Sequence, residues 1–318
     1  MSGANENRPG LLVLSAVYEP AIKALAADYD VHKLWEQADP AAYLRTPQPH
    51  IRAVVTPGVP GFRGEQIANL PSLEIVACFG VGHGTLDIAA ARARGVTVAN
   101  TPDDSTANVA DLATGLMLAV MRGICESDRF VRAGTWEKKP FRMGTALNGK
   151  LCGIIGLGNI GRAIARRAEA SGMKIGYFGP RRKNDVPYAF HAELVSLARA
   201  ADCLVIACPE RPDTRGIVNA EVLAALGAKG YLVNIGRGSV VDEPALVEAL
   251  QRKTIAGAGL DVFAEEPRVP SALKELDNVV LTAHIGTSTQ EIRDERSAKL
   301  LANLRAHFAG EPVPHAVT

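Results

Sequence analysis

Short apolar runs alternate with segments of helical spacing along most of this chain, and that alternation leaves few folds open. L-L-V-L (11–14), I-R-A-V-V (51–55), L-E-I-V-A-C (73–78) and V-T-V-A (96–99) come first. L-C-G-I-I (151–155), K-I-G-Y-F (174–178), C-L-V-I-A (203–207), Y-L-V-N-I (231–235), G-A-G-L-D (257–261) and V-V-L-T-A (279–283) follow. Runs this short and continuous predict strands buried on both faces. Intervening helical patterns such as A-I-K-A-L-A-A and I-A-A-A-R-A-R predict βαβ units. The expected fold class is α/β, built on parallel sheet.

Two longer helical stretches divide the pattern. One is predicted from about Thr106 to Ser127, with Asp103, Asp104 and Ser105 as capping groups, and reads as a crossover between domains. A glycine- and lysine-bearing connection at 134–150 follows it. Past Thr287 the chain turns helical again, with Ile292, Leu300, Leu301 and Leu304 near helical spacing. The expected organisation is a domain from 1–102 and 289–318, with a second domain, 103–288, inserted into it across two hinges and a cleft.

Composition narrows the function. With 318 residues, 47% hydrophobic and 22% charged, the chain can fill two cores. Its net charge of +1 is dispersed, which argues against nucleic acid or an anionic membrane as partner. The five cysteines (Cys78, Cys125, Cys152, Cys203, Cys208) show no C-x-x-C pair and no metal-ligand spacing, so no metal is expected and a reducing compartment is. The opening M-S-G-A-N-E-N-R-P-G lacks the pattern of a secretion signal, and L-A-T-G-L-M-L-A-V-M is too short to span a bilayer. The expected location is the cytoplasm.

G-L-G-N-I-G (156–161) lies between a short apolar strand and a helical segment. In that context Gly156 allows a tight turn, Gly158 lets backbone approach a pyrophosphate, and Gly161 allows close helix–strand packing. The anion would rest on amides at the helix N-terminus. The letters alone also suit a plain glycine-rich turn; the flanking elements favour the dinucleotide. An NAD-binding chain usually ends the next strand in Asp or Glu, but here Gly179 stands there and Arg181, Arg182 and Lys183 follow. Without the carboxylate a 2′-phosphate is not repelled, and guanidinium forks can grip it, although a charge run of this kind also reads as a solvated turn. NADP is the expected cofactor, with NAD possible.

Arg237, Glu266 and His284 each follow one of the last three apolar runs. Ligands of open α/β sheets bind beyond the carboxyl ends of the strands, so these side chains meet at one edge. A guanidinium, a carboxylate and an imidazole there suit an acidic substrate and a proton transfer. Individually they also read as a strand-end cap, a loop acid beside Glu265 and a structural histidine.

These elements occur inside longer motifs: F-G-V-G-H-G-T-L-D (79–87), C-P-E-R-P-D-T-R-G (208–216), N-I-G-R-G-S-V-V-D-E (234–243), G-L-D-V-F-A-E-E-P (259–267) and A-H-I-G (283–286). With the glycine loop, they resemble the D-isomer-specific 2-hydroxyacid dehydrogenases, most closely the glyoxylate/hydroxypyruvate reductase branch. The resemblance runs from about residue 50 to the end. It implies a Rossmann-type sheet inserted into a smaller flavodoxin-like substrate domain, and hydride transfer between NAD(P)H and a small 2-keto acid. It implies that Arg237 pairs with the substrate carboxylate, that His284 is the acid/base, and that Glu266, the acid before proline, holds the other imidazole nitrogen. Substrate contacts carried over are Val81, Gly82, Arg237 and His284. Cofactor contacts carried over are Gly156, Leu157, Gly158, Asn159, Ile160, Gly161, Gly179, Arg181, Arg182, Cys208, Pro209, Thr214, Ile235, Gly236, Arg237, Asp261, His284 and Gly286.

One departure touches the substrate: His83-Gly84-Thr85 stands where many members carry an aromatic or Asn/Asp. His83 itself reads as a turn histidine. G-T-W (134–136) resembles the family's dimer contact, so the resemblance implies a homodimer, while the Trp by itself reads equally as an intramolecular anchor. The alternatives within the family are hydroxyphenylpyruvate and phosphoglycerate types. The alternative outside catalysis is a nucleotide-sensing corepressor, against which the lack of an interaction tail counts.

Overall fold

A computed structural model describes residues 8–57, 61–82, 86–102 and 104–317. Asp103, expected as a cap, and the His83-Gly84-Thr85 turn lie outside the described residues. The chain divides into two compact units, Met1–Asp104 with Thr289–Thr318, and Ser105–Ser288.

The first unit is a parallel sheet of β1 (Gly10–Val13), β2 (Asp30–Lys33), β3 (Ile51–Thr56), β4 (Ile75–Cys78) and β5 (Thr97–Ala99), in the order β2-β1-β3-β4-β5. That is the flavodoxin-like order. Alternate side chains build two cores. Leu12, Val54 and Val76 meet Phe62, Ile67 and Leu70 on one face. Leu11, Val13, Val55 and Ile75 meet Leu25, Leu300 and Leu304 on the other. Leu300 and Leu304 come from the last helix, Gln290–Phe308, and burying each side chain contributes about 2 kcal/mol. The same helix buries Asn303 completely, and its amide is satisfied: Nδ2 donates to the Asn100 carbonyl at 2.8 Å and Oδ1 accepts from the His315 N–H at 3.1 Å.

The second unit is a parallel sheet of β6 (Leu151–Ile155), β7 (Lys174–Phe178), β8 (Ala189–His191), β9 (Cys203–Ile206), β10 (Tyr231–Asn234), β11 (Gly257–Leu260) and β12 (Val279–Leu281). Their order is β12-β11-β10-β9-β6-β7-β8, so the direction of winding reverses between β6 and β9. Such a switch point opens a crevice at the carboxyl edge. Leu204 and Ile206 face one core, Cys203 and Val205 the other. Burial pushes the Cys152 thiol up to about 12 and the Cys203 thiol well above its ordinary value. Both therefore act as small apolar packing groups.

The crossover helix ends earlier than expected. It runs Thr106–Arg122, Gly123 takes φ +68, and a second helix, Ile124–Arg132, begins there. Leu116 and Val120 of the first of these helices pack on β11, where Gly257 and Gly259 leave room: a Cβ at either would lie 3.0 Å from those side chains. No single helix among the described residues is long and apolar enough to cross a membrane. Two strands were not foreseen, β2 and β8. D-V-H-K is only half-buried and A-F-H is three residues long, so neither shows an apolar run.

Candidate active site

All three candidate catalytic side chains leave the carboxyl edge of the second unit's sheet. Beyond β10, Asn234 closes the turn that carries Arg237. Its Nδ2 donates to the Arg237 carbonyl at 3.1 Å, and its Oδ1 accepts from the Gly236 N–H at 3.0 Å. Asn234 is 1% exposed, so the turn is held from inside the protein. The Arg237 side chain is exposed, and Nη1 donates to the Gly236 carbonyl at 2.7 Å. That bond uses one of five N–H donors and leaves the guanidinium a fork for a carboxylate.

Gly238 locks this turn to the loop after β11. A Cβ there would lie 2.0 Å from the Phe263 carbonyl carbon, so the two loops meet backbone to backbone. On that loop Glu266 is shared: Oε1 accepts from the Phe263 N–H at 3.1 Å, and Oε2 accepts from His284 Nδ1 at 2.7 Å. A carboxylate accepting at Nδ1 favours a proton there and leaves Nε2 uncommitted to that pair.

His284 follows β12 in the left-handed region, φ +52, a conformation that costs a non-glycine residue about 1–2 kcal/mol. Asp261, 2% exposed, offsets that cost. Its Oδ1 accepts from the Thr282 hydroxyl at 2.6 Å and the Ile285 N–H at 2.8 Å, and its Oδ2 accepts from the Gly286 N–H at 3.0 Å. Its carbonyl accepts from the His284 N–H at 2.9 Å. Asp261 thus clasps the histidine turn, a positioning role the sequence did not show. Asp261→Asn replaces one acceptor with a donor facing an amide. It is expected to lose about 2–3 kcal/mol in denaturant unfolding, with kcat falling as well. A variant as stable as wild type would show that the turn holds without the carboxylate.

At the switch point, β6 runs through the glycine loop into the helix Asn159–Ala170. Gly156 has φ +94, and a Cβ on it would meet Cys208 at 2.8 Å. A Cβ on Gly161 would lie 2.2 Å from the Gly156 carbonyl oxygen, whereas Gly158 faces open space. The helix begins without a side-chain cap. Tight packing below, clear space above and an uncapped helix start fit a dinucleotide pyrophosphate.

A cavity of about 280 Å³ adjoins the loop. Gly156, Leu157, Gly158, Gly179, Arg181, Cys208, Pro209 and Thr214 line it; Arg182 is exposed and does not. Lys183 and Arg211 also line it. Arg211 was missed because its wall position depends on Thr214 Oγ1, which accepts the Arg211 N–H and donates to the Pro209 carbonyl, each at 2.8 Å. Cys208 is pushed up by burial and stays a neutral wall group. Asn159, Ile160 and Gly161 form the first turn of the helix, while Ile235 and Gly236 sit on the Arg237 turn and Gly286 on the Asp261 clasp. Val81 and Gly82 belong to the first unit, after β4, where the Gly82 carbonyl accepts from Cys78 Sγ at 3.2 Å.

Residues 114–286 match the family described as D-isomer specific 2-hydroxyacid dehydrogenase, NAD binding domain. The chain is 44% identical to glyoxylate/hydroxypyruvate reductase A of Arabidopsis thaliana, over 95% of this chain and 96% of that one. It is 45% identical to hydroxyphenylpyruvate reductase of Plectranthus scutellarioides, over 96% and 97%. Among solved structures, NADPH-dependent glyoxylate/hydroxypyruvate reductase of Sinorhizobium meliloti in complex with NADP and malonate aligns at TM-score 0.83 and 39% identity, covering 98% and 97%.

Proposed function

Since this chain belongs to the D-isomer-specific 2-hydroxyacid dehydrogenase family, in its glyoxylate/hydroxypyruvate reductase branch, we propose that it reduces glyoxylate or hydroxypyruvate with NADPH. The oxidoreductase class, NAD(P)-dependent 2-hydroxyacid dehydrogenase, follows from the family. The finer reading rests on one observation above others: the His284–Glu266 pair at 2.7 Å, joined through Gly238 to the turn of Arg237.

A bound nicotinamide supplies the hydride for the keto carbon. Arg237 would take the substrate carboxylate in its fork and polarise the keto oxygen. His284, with Nδ1 committed to Glu266, would deliver the Nε2 proton to that oxygen as it becomes the alcohol, and recover it in oxidation. Asp261 and Asn234 keep the two groups in place. The Sinorhizobium relative's NADP, the missing acid at Gly179, and Arg181 with Lys183 on the cavity wall support NADPH over NADH. We assign the substrate role to the first unit and the dinucleotide role to the second.

A second substrate class has its own support. Phe263, Pro267, Val269, Leu281 and Ala283 line an apolar cavity of about 270 Å³ beside Glu266 and His284. Together with the 45% identical hydroxyphenylpyruvate reductase, this favours testing an aryl keto acid. A homodimer would cover Ile124, Val131 and Trp136, which are 52%, 49% and 66% exposed; sedimentation velocity decides it.

The test is initial-rate oxidation of NADPH and of NADH with glyoxylate, hydroxypyruvate and hydroxyphenylpyruvate. Turnover of the first two substrates with NADPH preferred is expected. A preference for the aryl acid would move the protein to the second reading, and no turnover of any substrate would sink both.

A further inference from the structure

The basic turn after β7 is fastened at its exit by side chains that the proposed reaction does not use. Tyr177, 1% exposed and packed against Phe190 with ring centroids 5.3 Å apart, accepts the Lys183 N–H on its hydroxyl at 2.6 Å. Asp185 pairs with Arg162 at 2.9 Å, and the Tyr188 hydroxyl donates to Glu169 at 2.6 Å. Arg162 and Glu169 both stand on Asn159–Ala170, the helix that starts at the glycine loop. The turn and the pyrophosphate cradle are therefore tied to one rigid element.

We propose that Tyr177 is a positioning residue for cofactor selectivity, its hydroxyl holding the turn of Arg181 and Lys183 in the shape that accepts the 2′-phosphate of NADPH. The proposal rests on the NADPH reading above. The physical reason is preorganisation. Between Gly179 and Lys183 the chain carries no regular hydrogen-bonded structure, and Gly179 has nothing within 4 Å of where a Cβ would be. Left free, such a turn spreads its two cations over many arrangements, and ordering them on binding costs affinity. Pro180 restricts the entry and the Tyr177 hydroxyl fixes the exit, so that cost is met on folding. A hydroxyl serving only a buried amide would affect both cofactors alike. One holding a phosphate-binding turn affects only the cofactor with the extra phosphate.

Tyr177→Phe removes one oxygen and keeps the ring. Calorimetric titration of the full-length protein with NADPH, NADH, adenosine 2′,5′-bisphosphate and 5′-AMP reads the result without turnover. The Kd for NADPH and the bisphosphate is expected to rise about tenfold, and that for NADH and AMP to stay within about twofold. In steady-state rates the loss falls on KM for NADPH rather than on kcat. Arg162→Gln, which frees Asp185 at the protein surface, should shift selectivity in the same direction and serves as the reading if Tyr177→Phe does not fold. An equal loss for both cofactors, or undiminished NADPH preference in the variant, overturns the positioning role. Equal affinity of the wild type for NADPH and NADH overturns the NADPH reading itself, and the role of Tyr177 falls with it.

Discussion

His284→Asn is expected to lower kcat by about three orders of magnitude, with a much smaller effect on dinucleotide affinity. General acid–base catalysis by a positioned side chain contributes roughly 10²–10⁴-fold, and the asparagine amide can donate a hydrogen bond but is too weak an acid to transfer a proton to the keto oxygen. Asparagine is the informative replacement because the residue sits at φ +52, which asparagine tolerates better than most side chains. It also keeps a donor for Glu266, so the loss reads chemistry rather than a collapsed turn. The checks are single-turnover rates and a cofactor titration. A variant within tenfold of wild type would place the proton donor elsewhere.

Arg237→Gln should cost about as much in kcat/KM, with most of the loss in binding of the keto acid. A bidentate pair with a carboxylate is lost together with the charge facing the developing alkoxide, and removing one such electrostatic stabiliser costs roughly 10²–10³-fold. Because Asn234 and Gly238 hold the turn and the guanidinium adds a single bond to the Gly236 carbonyl, its backbone should survive the change. Arg237→Lys separates charge from geometry: a point charge on a flexible stem restores part of the binding and little of the orientation. Full activity of the lysine variant would remove the fork from the argument. Inhibition by a dicarboxylate, followed across the variants, reports the carboxylate contact without turnover.

Strand positions were legible because continuous apolar runs are a local property. L-C-G-I-I, K-I-G-Y-F and C-L-V-I-A became β6, β7 and β9 with ends displaced by at most one residue. The helix break at Gly123 was not, since a glycine within an apolar helical pattern ends the helix only when the chain beyond it has somewhere else to pack. The edge strands β2 and β8 were hidden for a related reason: an edge strand needs one neighbour and no second apolar face.

The candidate residues divide in the same way. By itself the amino-acid sequence determined the two sheets, the glycine loop and the three charged groups at strand ends, because each depends on side chains within a few positions of one another. Only the tertiary structure decided what holds them. Asp261 reaches the Ile285 and Gly286 amides across 24 and 25 residues, and Gly238 meets Phe263 across a helix and β11. Tyr177 turns back on its own strand end to hold Lys183. Such bonds form where separate strand ends converge, and a buried carboxylate or hydroxyl finds its partner only after the sheet has brought those ends together.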